Sequence, residues 1–345
     1  MTGAERRRVS REELQEALAA ADVPVLLMVL TQLTGEARWI SPPFLPRREI
    51  YFFADESGGL PENLQDEVRA SALEALLDYY AGRLDPAPPP SEERFLEMMR
   101  VCVGEHVPDE YLAMMLEEMG LRRRDPVWHA RPGANAIADF RVLIIGAGMS
   151  GLCAAIKLKD AGIPFEIIEK NPRVGGTWYE NIYPEVGCDV PNHFYSFSFR
   201  PNPDWSAYFS KGAEIEAYFE ACAREYGIVD HIRFESSVKS AAFDADRALW
   251  EVEIEGPGGG VSRETANVVI AATGQLNRPK IPAIPGRESF RGPAFHTARW
   301  PADLDVTGKR VAVIGTGASA MQMARTTAEQ AGRLLIFQRS AQWAI

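Results

Sequence analysis

The sequence predicts an α/β protein whose parallel sheets carry helices on their faces, preceded by an all-α N-terminal extension. Three observations predict it. Residues 1–138 repeat apolar side chains at helical spacing, a strand–glycine turn–helix–strand pattern begins at Phe140, and the same pattern begins again at Arg310. At roughly 150 residues per domain, 345 residues make two or three domains. The shifts in pattern place them at 1–138, 139–275 and 276–345.

The first region opens on a capping box, Ser10 with Glu13, in which each side chain answers a backbone donor. Leu26, Leu30 and Leu33 fall on one helical face. Beyond the Pro42–Pro43 break, Pro61 is placed as a first helical residue, and Leu64, Val68, Ala72, Ala75 and Tyr79 form a second stripe. After the proline-rich Asp85–Pro90 break the spacing returns in Phe95, Met98, Met99 and Cys102, then in Leu112, Met115, Leu116 and Met119. Seven of the ten methionines lie in this region, and they read as helix-packing core. Arg122–Ala136 reads as a linker whose arginines end a solvated helix.

Phe140–Ile145 is a buried strand, followed by Gly146, Gly148 and Gly151 and by a helix over Leu152–Ala161. The first glycine permits the tight turn, the second lets backbone approach a pyrophosphate, and the third lets helix pack on strand. Met149 and Ser150 open that helix, whose N-terminal donors and dipole favour an anion. The next strand, Phe165–Ile168, ends in Glu169, 23 residues after Gly146, where a carboxylate can accept from a ribose diol; Lys170 follows it. This is the Rossmann-type pattern. Arg173 then precedes Gly175 and Gly176, a second backbone approach to the same diphosphate, with Thr177 beside it. Trp178, Tyr179, Tyr183, Pro184, Cys188 and Asp189 follow closely. The rings could wall a flat ring system, and Asp189 is a candidate for a perturbed carboxyl or the partner of a cation. Trp250–Glu255 and Val261–Ala271 form a hairpin about Gly256–Gly260, and Ala271–Gly274 leaves room for a dinucleotide.

Arg310–Ile314 starts the second unit, with Gly315, Thr316, Gly317, Ala318, Ser319 and Ala320 in the turn. Leu334–Phe337 is its next strand. Arg339 lies 24 residues after Gly315, with Ser340 beside it, at almost the place Glu169 holds in the first unit. An acid there favours the free ribose hydroxyls of FAD or NAD, and an arginine favours the extra phosphate of NADP. Opposite charges at the discriminating position imply two dinucleotides, FAD in the first unit and NADPH in the second.

Composition closes off other classes. Lys and Arg number 37 against 48 Asp and Glu, a net charge of −11, which argues against nucleic acid and against a polybasic membrane anchor. With 46% hydrophobic and 25% charged residues the chain is not disordered. The apolar run Val23–Leu30 is too short for a span of ~20 residues, and no signal peptide precedes it. Four scattered cysteines without a CxxC pair fit a cytoplasmic protein, hold no metal, and exclude a disulfide reductase.

Phe290, Gly292, His296, Trp300 and Pro301 match FxGxxxHxxxW[PD] at every fixed position, between two GxGxx[GA] turns. In this the chain resembles the Baeyer–Villiger monooxygenases. Gly175 to Pro184, continuing to Asp189, resembles their second motif, with Glu185 where glycine or methionine is usual. The helical extension resembles that of 4-hydroxyacetophenone monooxygenase and its relatives. The resemblance implies an NADPH- and FAD-dependent enzyme that activates dioxygen on the reduced flavin and inserts one oxygen beside a ketone carbonyl, giving an ester or lactone. It implies that Asp189 sets the position of an active-site arginine, and that His296 and Trp300 couple cofactor movement between domains. It also implies that the arginine lies beyond Ile345, so the chain is expected to be a C-terminally truncated piece with an unpaired apolar sheet edge, prone to aggregate or to take up little flavin. The competing readings are a flavin N- or S-monooxygenase and a catalytically incomplete dinucleotide-binding fragment. For residues 1–138 the expectation is a homodimer contact.

Overall fold

The computed structural model describes residues 9–47, 55–122, 137 and 139–342. The chain divides into two compact units, Met1–Asp125 and Pro126–Ile345, the division falling inside the segment read as a linker. From residue 123 to 136 that linker lies outside the described residues.

Every regular element among the described residues of the first unit is helical: α1 (Arg11–Ala19), α2 (Val23–Thr34), α3 (Glu62–Tyr80), α4 (Glu92–Val103) and α5 (Tyr111–Glu118), with a 3-10 turn at Ala37–Ile40. The capping box is formed: the Ser10 hydroxyl accepts from the Glu13 N–H at 3.1 Å, and the Glu13 carboxylate accepts from the Ser10 N–H at 2.7 Å. Helix α2, capped by Asp22, is the most apolar and buries Leu26, Leu27, Leu30 and Leu33. They meet Leu14 and Leu18 of α1, Val68, Ala72 and Ala75 of α3, and Trp39 in one core. The structure corrects two expectations here. Pro61 is the N-cap of α3, and the helix begins at Glu62. The α5 stripe of Leu112, Met115, Leu116 and Met119 is only partly core: Leu116 is buried, whereas Met119 is 62% exposed. A helix of eight residues offers one narrow stripe, and Met119, its C-cap, lies past the end of that stripe.

In the second unit β1 (Val142–Ile145), α6 (Met149–Ala161) and β2 (Phe165–Ile168) follow in the predicted order. Beyond them come α7 (Thr177–Glu180), α8 (Gly212–Glu225), β3 (Ile232–Arg233), and the strands β4 (Ser237–Asp244), β5 (Leu249–Glu255), β6 (Val261–Ala266) and β7 (Val268–Ala271). A four-stranded parallel sheet has the order β3-β2-β1-β7, with Val142 opposite both Phe165 and Val268. Successive side chains point to opposite faces. Val142, Ile144 and Ile167 therefore pack against α6 and α8, while Leu143 and Ile168 pack against Val252, Ile254 and Ala266 of the antiparallel sheet β4-β5-β6. The sheet is covered on both faces, as a parallel sheet must be.

The predicted hairpin is thus one part of a three-stranded meander. Strand β4 escapes the sequence pattern because a register shift between Val238 and Ser240 breaks its alternation. The run read as a single strand, Val261–Ala271, is two strands in two sheets. They part at Asn267, whose side chain accepts from the Arg141 N–H at 2.8 Å and whose own N–H donates to the Arg141 carbonyl at 2.9 Å. A separate two-stranded parallel sheet joins β8 (Arg310–Ile314) to β9 (Arg333–Phe337) through α9 (Ala318–Gln330). Ile314, Ile336 and Phe337 are exposed on it.

An ion network ties meander to parallel sheet. Arg233 of β3 reaches Glu166 of β2 and Glu264 of β6, each at 2.6 Å; Arg141 also pairs with both, at 2.6 Å to Glu264. The Glu264 carboxyl, 18% exposed, is held down to about 2, first by the Arg233 hydrogen bond, with desolvation opposing and Arg141 adding to the effect. A depressed carboxyl stabilises the fold above its unfolded value of 4.5 and loses that contribution as pH falls through the folded value. Thermal unfolding should therefore show a melting temperature that drops between pH 4.5 and 2, and Glu264→Gln should lose ~2 kcal/mol at pH 7 and flatten that drop.

Candidate functional site

The chain leaves β1 through Gly146, at φ +102°, where a Cβ would stand 2.7 Å from the Ala272 carbonyl oxygen. A Cβ on Gly151 would stand 1.9 Å from the Gly146 oxygen, so helix α6 can sit against this turn only because that position is glycine. Gly148 is the N-cap of α6 and offers no capping side chain, which leaves first-turn N–H groups facing outward. Met149 is half-buried against the helical-face core and Ser150 is exposed.

The second glycine pair closes on the first. The Gly175 N–H donates to the Ala147 carbonyl at 3.1 Å, and a Cβ on Gly176 would lie 3.0 Å from the Gly148 Cα. Glu169 is buried, 3% exposed, and turned toward this junction: one oxygen accepts from the Ala147 N–H at 2.6 Å and the other from the Asn171 N–H at 2.8 Å. Gly146, Gly148, Gly151, Glu169, Gly176 and Thr177 are therefore brought together. Arg173 is not. Its guanidinium pairs with Glu220 at 2.5 Å and Glu216 at 3.3 Å on α8, and so does not face the glycine junction.

Lys170 pairs with Glu180 at 2.7 Å, a carboxylate of α7 that also takes Asn171 at 3.1 Å and Arg299 at 3.2 Å. Desolvation pushes the Glu180 carboxyl upward, but the hydrogen bonds from Lys170 and Asn171 and the charges of Lys170 and Arg299 together bring it below the ordinary glutamate value. Through Arg299 it fastens the Phe290–Pro301 motif to the first cradle. Within that motif His296 caps a short 3-10 turn, its Nδ1 accepting from the Ala298 N–H at 3.1 Å, and Trp300 stands edge-on to Phe295 at 5.2 Å.

Trp178 donates from Nε1 to the Tyr195 hydroxyl at 3.1 Å and packs edge-on against that ring. Tyr183 is buried and donates to Gln322 Oε1 at 2.8 Å. Asp189 is exposed and has no ion pair among the described residues. In the second turn Gly315 has φ +106° and donates its N–H to the Phe337 carbonyl at 2.9 Å, which brings the end of β9 beside it. Gln338 reaches Thr316 at 3.3 Å; Arg339 and Ser340 follow, exposed. Gly317 caps α9 without a side chain, Ala318 and Ser319 open the helix, and a Cβ on Gly315 or Gly317 would meet nothing within 4 Å. The second cradle is open where the first is packed.

Sequence reasoning passed over Glu180, Asn171 and Gln322. Glu180 carried a legible signal, a carboxylate just after a glycine pair; the others acquire partners only through folding.

The family model for flavin-binding monooxygenase-like proteins matches residues 139–345. The chain belongs to that family. This flavin-binding monooxygenase-like chain is 40% identical to an uncharacterized monooxygenase, y4iD, of Sinorhizobium fredii over 340 residues, covering 96% of this chain and 49% of that protein. It is 47% identical to a Baeyer-Villiger monooxygenase of Streptomyces coelicolor over 205 residues, covering 59% of this chain and 38% of that protein. Among solved structures, OTEMO in complex with FAD and NADP matches with a TM-score of 0.55 and 35% identity, over 59% of this chain and 40% of that one. The chain thus spans half or less of the length of these relatives. The alignment with the Sinorhizobium fredii protein takes in the helical unit as well.

Substituting Gly151→Ala should cost ~3 kcal/mol or more in urea unfolding, since the clash is with fixed backbone. Gly260→Ala, which meets nothing within 4 Å, should stay within about 0.5 kcal/mol of the parent.

Proposed function

We propose that the chain holds FAD on the Gly146 turn and NADPH on the Gly315 turn, and that it serves a Baeyer–Villiger oxidation of a ketone by dioxygen to an ester or lactone. The observation that carries this reading is the pair of glycine turns with opposite answering charges. Buried Glu169 is turned to the first, and Arg339 follows the strand end that is bonded to the second. Relatives that carry the Baeyer-Villiger name, and a structural neighbour holding FAD and NADP, support it.

The residues present fit the cofactors. The first turn is a cradle that a Cβ would fill, and its outward N–H groups suit a diphosphate. Glu169 keeps lone pairs beyond its two backbone bonds to accept from a ribose diol. Lys170, Gly176, Thr177, Trp178 and Tyr183 would flank the flavin nucleotide there. In the second cradle Thr316 to Ser319 would face the other diphosphate, with Arg339 and Ser340 reaching the additional phosphate. When bound, NADPH supplies hydride and the flavin supplies oxygen activation. The chain's own part is to bind, orient and shield. His296 and Trp300 hold the motif segment that Arg299 ties to Glu180, and Asp189 is the carboxylate offered to an incoming cation.

Two narrower readings accompany this one. Four free thiols fit a reducing cytoplasm. The helical unit pairs with a second copy through α4–α5, where Val103, Tyr111, Met114 and Met119 are all exposed. No helix among the described residues is long and apolar enough to cross a membrane.

Chain given added FAD should bind it, and Arg339→Ala should weaken NADPH binding about tenfold while leaving NADH unchanged. With a ketone and a thioether offered together, ester or lactone product supports the reading. Sulfoxide alone is common to the ketone enzyme and a flavin N- or S-monooxygenase and does not separate them, and bound dinucleotides without turnover favour a binding fragment. Size-exclusion chromatography should give a dimer that Met114→Glu with Met119→Glu converts to monomer.

A further inference from the structure

The segment Tyr183–Gly187 runs as a strap between α8 and α9. On the α8 side the Gly212 N–H donates to the Val186 carbonyl at 2.9 Å, and Lys211 pairs with Glu185 at 2.6 Å. On the α9 side Gln322 uses both ends of its amide. Its Nε2 donates to the Gly187 carbonyl at 2.8 Å and its Oε1 accepts from the Tyr183 hydroxyl at 2.8 Å. The orientation is forced, because a carbonyl can only accept, so the NH2 must face Gly187 and the oxygen must face the phenol. Thr326, one turn further on, reaches Glu185 at 3.4 Å.

Glu185 marks the strap as more than a connection. It stands at φ +63°, where a side chain costs about 1 kcal/mol and glycine costs nothing. Its carboxylate nevertheless meets Lys211 and Thr326, so the strained position carries contacts to both helices.

The strap also lies on a short path between the two cradles. Gly176, whose backbone abuts Gly148 in the first turn, is the N-cap of α7; Tyr183 follows α7; and Gln322 lies in the second turn of α9, whose N-cap is Gly317 of the second cradle. We propose that Gln322 is a positioning residue, which fixes the distance and angle between the two nucleotide cradles by latching α9 to the Tyr183–Gly187 strap. The assignment rests on the two-dinucleotide reading above. Hydride passes between the two rings only when they are held at near-contact geometry, and a misplacement of about 1 Å costs on the order of a hundredfold.

Gln322→Met breaks both bonds at nearly constant volume, and Tyr183→Phe breaks one. In cofactor-free chain, amide hydrogen exchange over 183–189 and 318–330 should accelerate about tenfold in Gln322→Met and less in Tyr183→Phe. In FAD-loaded chain mixed anaerobically with NADPH, the limiting rate of flavin reduction should fall at least about tenfold in Gln322→Met, with the NADPH concentration at half-saturation unchanged. The NADP⁺-induced change in the flavin absorption spectrum should shift as well. A Gln322→Met chain that folds and is reduced as fast as wild type overturns the assignment, whether or not its exchange accelerates. Should Gln322→Met not fold, a Tyr183→Phe chain with unaltered exchange and reduction rate overturns it equally. A wild-type chain that takes up FAD but is not reduced by NADPH overturns the two-dinucleotide reading, and this assignment with it.

Discussion

At the end of β1 two pieces of backbone pass closer to each other than side chains allow, and the second unit is arranged around that contact. Gly151 lets α6 rest on the Gly146 carbonyl, and Gly176 lets the following loop rest on Gly148. Glu169 secures the junction from beneath by accepting from the Ala147 N–H. A buried carboxylate is costly unless it is bonded, and here the turn that it serves supplies one of its donors. Binding surface and fold stability are therefore the same set of atoms at this place. Everything that reaches the site, whether α7 with Glu180 or the strap to α9, hangs from this junction.

Charge is used in two different ways in the second unit. The Arg141, Glu166, Arg233 and Glu264 network joins β2, β3 and the residue that leads into β1 to the meander and is fully paired within itself. It fixes the sheet stack and leaves no cation over for a ligand. Around Glu180 the pairing is instead between segments distant in sequence, Lys170 and Arg299, with one nearly buried carboxylate serving both. That arrangement holds the Phe290–Pro301 motif against the first cradle without any apolar core of its own. The second cradle is held more lightly, through Gln322 and Thr326 to a single strap.

Residues 1–138 and 139–345 were legible to different depths. The Ser10–Glu13 box and the α2 and α3 stripes read directly, because capping and helical spacing are local properties. The methionines of α5 did not, since whether Met119 is covered depends on how far the helix extends. In the second unit both glycine turns, their strands and the carboxylate at Glu169 followed from spacing, and the motif Phe290–Pro301 followed from resemblance. Arg173, beside the second glycine pair, is taken up by Glu216 and Glu220 of α8, a pairing that no local pattern announces.

The sequence marked β1 as buried correctly, but Arg310–Ile314, read as buried too, is partly exposed. What the sequence by itself determined is where backbone must turn tightly and which charge follows each glycine turn. These are consequences of steric limits and of side-chain chemistry within a window of some twenty residues. Only the tertiary structure decided that Val261–Ala271 divides between two sheets, that Glu180 gathers Lys170 and Arg299, and that Gln322 meets Tyr183 from 139 positions away. Such pairings carry no periodicity, and a polar side chain acquires its meaning from the partner that folding brings to it.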